Sequence, residues 1–150
     1  MNKRYRDRAL AHLLHTKASF VYVSAHETLC SDIRGIGRLL TLVEEEKTLA
    51  DGFVADRIVG KAAALLMVHL GAKQVYADTL SRAGFEVFVR HGVTFTFCRL
   101  VPHIINRSGD GLCPMEKASL SIDDPAKAYP ILKETTVRLQ QAVRQREKEN

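Results

Sequence analysis

Apolar periodicity switches back and forth along this chain between the two-residue repeat of strands and the 3.6-residue repeat of helices. That alternation constrains the fold more than any other feature. Residues 4–15 read as a helix with Tyr5, Ala9, Leu13 and His12 on one side. Residues 18–24, ASFVYVS, are β-branched and aromatic and predict a strand. His26-Glu27 turns the chain into a second short strand, Thr28–Ser31. Gly35 and Gly37 open a helix that buries Ile36, Leu39, Leu40 and Val43 and exposes Glu44–Glu46. After the Asp51-Gly52 turn, Phe53-Val54-Ala55 predicts a short buried strand. Asp56 is then placed to cap a helix burying Ile58, Val59, Ala62, Leu65, Leu66 and Leu70, with Gly71 as its stop.

The pattern continues with a strand over Lys73–Thr79, a helix over Ser81–His91 closed by Gly92, and a long strand over Val93–Val101. Pro114 and Asp124-Pro125 each start a helix, and Pro130 predicts a kink in the second. Leu132, Thr136, Leu139 and Val143 carry an apolar stripe toward the C-terminus. The expected class is α/β: a three-layer α-β-α arrangement with a five-stranded mixed sheet and helices on both faces. A chain of 150 residues predicts one domain, with its core at about residues 18–132. Such a chain buries roughly 68–70% of its unfolded surface, enough to fold without disulfides or metal.

Three cysteines, Cys30, Cys98 and Cys113, form no CxxC pair, which predicts reduced thiols in a cytoplasm. No apolar run is long enough to span a bilayer, and NKRYRDR predicts no signal peptide. The net charge of +5 sits at the ends: +3 over residues 3–8 and +2 over residues 138–150. Between them, 14 basic residues face 14 acidic ones. Aromatic interleaving is confined to Tyr5, so solvated terminal helices are expected rather than a nucleic-acid footprint. The C-terminal stripe of Leu132, Leu139 and Val143 makes a homodimer an expected option.

The segment IINRSGDGLCPMEK, residues 104–117, concentrates the polar chemistry. A strand runs into a glycine-bearing loop, Asn106 to Gly111, suited to bind an anion through backbone N–H groups and Arg107. Cys113-Pro114-Met115-Glu116 has capping-box spacing with a thiol in place of a hydroxyl. A thiol at a helix N-terminus has its thiolate favoured, so Cys113 is a nucleophile candidate and Glu116 a base candidate. Gly60-Lys61 ends like a P-loop. However, Ala55 stands where the first glycine belongs, Ala62 where the hydroxyl belongs, and the pair is expected inside a helix. Asp56, at the carboxyl end of its strand, lies where open sheets bind ligands. The six histidines show no metal-ligand spacing.

Three blocks, RGIGRLL at 34–40, VADRIVGKAAALL at 54–66 and IINRSGDGLCPMEK at 104–117, resemble an uncharacterised prokaryotic family known as domain of unknown function 1893. That family is grouped with the cytidine-deaminase-like fold, and the resemblance covers about residues 18–132. It implies a five-stranded mixed sheet sandwiched by helices and a pocket for a nucleotide or base. Active deaminases place zinc ligands at two helix N-termini, in an HAE-type and a PCxxC motif. The matching starts here, Gly35-Ile36-Gly37 and Asp56-Arg57-Ile58, offer neither thiolate nor imidazole. Cys113-Pro114 lacks a second cysteine.

The resulting expectation is a zinc-free protein with no cofactor, binding a small nucleotide-like or phosphate-bearing molecule. Arg34, Gly35, Asp56, Gly60, Lys61, Asn106, Arg107, Cys113 and Glu116 are the candidate ligand contacts. The rival expectations are a zinc-free transferase or hydrolase using Cys113 or Glu116, and an interaction module acting through the basic ends.

Overall fold

A computed structural model describes residues 2–106 and 108–149. The helices are α1 (Lys3–His15), α2 (Gly37–Glu44), α3 (Lys61–His69), α4 (Arg82–Arg90), α5 (Pro114–Ser119) and α6 (Ala128–Glu149). The strands are β1 (Phe20–Ser24), β2 (Thr28–Ser31), β3 (Gly52–Val59), β4 (Gln74–Ser81) and β5 (Thr94–Val101). They form one mixed sheet in the order β2-β1-β3-β4-β5. β1 runs antiparallel to both neighbours, while β3, β4 and β5 are parallel. Parallel neighbours need crossovers, which α3 and α4 supply.

The two faces are covered unequally. β1 is buried throughout and splits its side chains by the two-residue period. Phe20 and Tyr22 join the large core with α2, α3, α4 and α6. Val21 and Val23 join a smaller core in which Ala9 and Leu13 of α1 pack on Phe53 and Ala55. α3 is the central helix: its residues Ala62 to Met67 are all buried, so the run is apolar all round rather than striped. Gly71, at φ +83°, adopts the left-handed conformation that ends it. On the opposite face Arg57 holds α1 in place. Its guanidinium donates to the carbonyls of Leu13, Thr16 and Ala18.

The α/β class and the strand count agree with expectation, and β2 has the expected bounds. The largest disagreement is at β3, and β4 too runs on, to Ser81 rather than Thr79. β3 runs on past Ala55 to Val59, so Asp56 lies within a strand and caps no helix. Ile58, expected in a helical core, is 57% exposed. α3 begins only at Lys61, so Gly60-Lys61 forms a strand-to-helix corner rather than helix interior. A corner of one residue still leaves no room for a phosphate loop. Pro130 produces no break. It lies in the first turn of α6, where the missing N–H costs little, and the helix continues to Glu149.

Candidate functional site

Asp56 sits in the central strand, paired with Phe20 on one side and Ala77 on the other. Paired residues point the same way, and both neighbours belong to the large core, so the Asp56 carboxyl faces the helix-rich side. It is 9% exposed. Among side-chain hydrogen bonds it accepts one, from the Ile58 backbone N–H at 3.4 Å. Burial pushes its pKa from the ordinary 3.8 up to about 7, only partly offset by backbone N–H groups of Ile58 and Arg57. A carboxyl so placed exchanges its proton near neutrality and has lone pairs to offer a donor.

A second carboxyl shows the contrary arrangement. Glu116, on α5, is 2% exposed and holds three donors. Its Oε1 accepts from the Lys61 backbone N–H at 2.9 Å and from Ser81 Oγ at 3.1 Å. Its Oε2 accepts from the Ile104 N–H at 2.6 Å. Lys61 opens α3, and Ser81 caps α4 through an acceptor contact from Gly84 N–H at 3.0 Å. Glu116 thus places a negative group against the positive end of α3 and links two strand-to-helix corners.

The corners interlock closely. A Cβ on Gly60 would stand 3.1 Å from Ile104 Cγ1 and 3.2 Å from Glu116 Oε1. A Cβ on Gly84 would stand 3.2 Å from the Gly60 carbonyl oxygen. The Lys61 ammonium turns away from the sheet and donates to the Leu120 carbonyl at 2.9 Å, closing the C-terminus of α5.

The glycine-bearing loop spends many of its donors internally. Asn106 N–H donates to Gly111 O, Gly109 N–H to Asn106 O, and Cys113 N–H to Ile104 O. The Asn106 amide donates to Asp110 Oδ1 at 2.9 Å, and the Asp110 N–H returns to Asn106 Oδ1 at 3.2 Å. Hydrogen bonds from Asn106 and Ser108 hold the Asp110 carboxyl below its usual range. These contacts make the described part of the loop a self-supporting turn that presents a carboxylate. Arg107, the expected anion contact, lies outside the described residues. Cys113 is half-buried at the N-cap of α5.

The structure therefore brings Gly60, Lys61 and Glu116 together at one corner. Asp56 lies on the same side of the sheet, four residues before Gly60. Arg34 and Gly35 are exposed in the turn before α2. Two surface clefts lie elsewhere. One, of about 610 Å³, is lined by Met115, Leu139, Val143 and Arg144 among others. Another, of about 150 Å³, lies between Tyr5, Asp51 and Lys73. The sequence reading missed Ser81 and Ile104 as partners of Glu116. Ser81 was legible as a helix start, but its bond to a residue 35 positions away was not. Among the described residues, no three His, Cys, Asp or Glu side chains cluster as a metal site. The corners at Gly37 and Lys61 carry no thiol or imidazole.

The TM1506 family, described as a domain of unknown function (DUF1893), matches residues 8–136. This chain belongs to that family. Its fold is similar to the crystal structure, at 2.70 Å resolution, of a DUF1893 family protein (TM1506) from Thermotoga maritima. The TM-score is 0.81 at 24% identity, covering 89% of this chain and 91% of that one. No curated protein matches the chain.

Proposed function

We propose that this family member binds a small nucleotide-like molecule at the carboxyl end of β3, without zinc, on a scaffold of the cytidine-deaminase type. The observation that carries the reading is Asp56: a carboxyl buried on the central strand whose polar contacts are a long hydrogen bond from the Ile58 N–H and a weaker contribution from the Arg57 N–H. A carboxyl held at such low exposure with so few donors costs stability, and that cost is retained where a ligand supplies a further donor. A ribose hydroxyl or an amine would donate to Asp56. The first N–H of α3 and the Lys61 ammonium are already engaged, so neither is free to take a ligand phosphate.

A transferase or hydrolase reading draws less support, because Glu116 is already held by three donors. The direct experiment is thermal-shift and calorimetric titration with nucleosides, nucleoside monophosphates and nucleoside diphosphates. It is paired with native mass spectrometry of protein purified gently. At least one nucleoside or nucleotide should bind, and Asp56→Asn should weaken it by about 1.5–3 kcal/mol, the range for a hydrogen bond to a charged group. No binding across the panel together with no retained small molecule, or equal affinity in Asp56→Asn, would sink the reading.

A further inference from the structure

The two edges of the sheet are built differently. β2, at one edge, is four residues long and polar. Short edges are one way that proteins avoid unwanted strand pairing. β5, at the other, is eight residues long and stays in register with β4 from Gln74↔Thr94 to Ser81↔Val101. It contains no proline or glycine, and its single charge is Arg99. Every residue of it is exposed or half-exposed.

The flank of this edge is apolar. Phe85 of α4 packs edge-on against Phe95 at 5.0 Å between ring centroids and against Phe97 at 6.0 Å. Val89, one helical turn further along α4, is 58% exposed; Phe97 is 38% and Leu100 40% exposed. An eight-residue, unbroken edge with an aromatic flank is the kind that a soluble chain covers by pairing.

We propose that a second copy of this chain covers it, β5 pairing antiparallel with β5 about a two-fold axis and joining the two sheets into one. A two-fold pairing brings the same face of each strand together, so its axis passes through one residue position. Centred on Cys98, the pairing spans Phe95 to Val101. Arg99 then meets the exposed ring of the partner's Phe97, a cation–π contact, and Thr96 meets the partner's Leu100. The strand's only charge is never set against itself. That complementarity, together with the length of the open edge, favours a copy of the chain over an unrelated strand.

Light scattering after gel filtration tests the proposal on the full chain. The wild type should run as a dimer. Phe97→Lys and Leu100→Lys, on opposite faces of β5, should each raise the dimer dissociation constant at least about tenfold while the monomer retains its cooperative melt. Mild oxidation with copper phenanthroline should give a covalent dimer that Cys30→Ser and Cys113→Ser retain and Cys98→Ser loses. A monomeric wild type would overturn the proposal. So would a dimer that survives both β5 variants and dissociates on Leu139→Glu, which would place the contact on α6.

Discussion

Glu116 and Asp56 are both carboxyls buried on the helix-rich side of one sheet, yet their surroundings differ in kind. Glu116 sits where three backbone and hydroxyl donors converge from three separate segments. Asp56 sits in β3, three residues before its end, and its one side-chain hydrogen bond is a 3.4 Å contact from the Ile58 N–H. The lesson is that depth alone does not assign a role to a buried acid. The number of donors around it does. Glu116 spends its lone pairs on holding the fold together, whereas Asp56 keeps lone pairs in hand.

The sharpest test removes the satisfied carboxyl. Glu116→Ala should destabilise the fold by about 3–5 kcal/mol in urea denaturation. It leaves the N–H groups of Lys61 and Ile104 and the Ser81 hydroxyl without their acceptor, each loss costing roughly 1–3 kcal/mol before relaxation. A loss under about 1 kcal/mol would erase the distinction between the two acids.

The poorly satisfied carboxyl should behave in the opposite sense. The folded state holds the Asp56 proton up to about pH 7, while the unfolded chain releases it near 3.8. Between those values the folded state binds more protons, so Asp56 makes stability fall as pH rises through the window and impose its full cost above it. Asp56→Asn should therefore leave stability near pH 4 almost unchanged and raise it near pH 8 by about 2–4 kcal/mol. Equal effects of the variant at both pH values would show that Asp56 is ionised and satisfied throughout.

The smallest effect probes the packing beneath Glu116. Gly60→Ala should cost about 1–3 kcal/mol, because its methyl group meets Ile104 and Glu116 at 3.1–3.2 Å. A neutral or stabilising result in the same denaturation experiment would show that the corner is looser than these distances.

Much of the scaffold was legible because period and punctuation agreed. FVYVS is β-branched and aromatic, Gly71 and Gly92 stop helices at positive φ, and Asp124-Pro125 caps and starts a turn as its residue types demand. The misreading at β3 arose where two signals competed. Asp56 is a good helix cap and apolar residues follow it at helical spacing, but Ile58 and Val59 are β-branched and continue the strand. The helix waits for Gly60, whose lack of a side chain admits Ile104 and Glu116. The site was legible only as a set of residue types. Glu116, Lys61 and Gly60 were named as candidates, but their grouping depends on contacts spanning 55 positions, which no local pattern encodes.

The Arg57 clasp on α1 has a consequence for the order in which a nascent chain becomes structured. α1 leaves the ribosome well before β3, yet the carbonyls at its C-terminal end are gripped by a side chain more than 40 positions later. Its apolar contacts Phe53 and Ala55 emerge in that same late stretch. Until β3 has been synthesised and paired with β1, α1 is a short, cationic, amphipathic segment with nothing to rest on, below the length at which an isolated helix holds in water. α1, made before its partners, is thus among the later parts to settle.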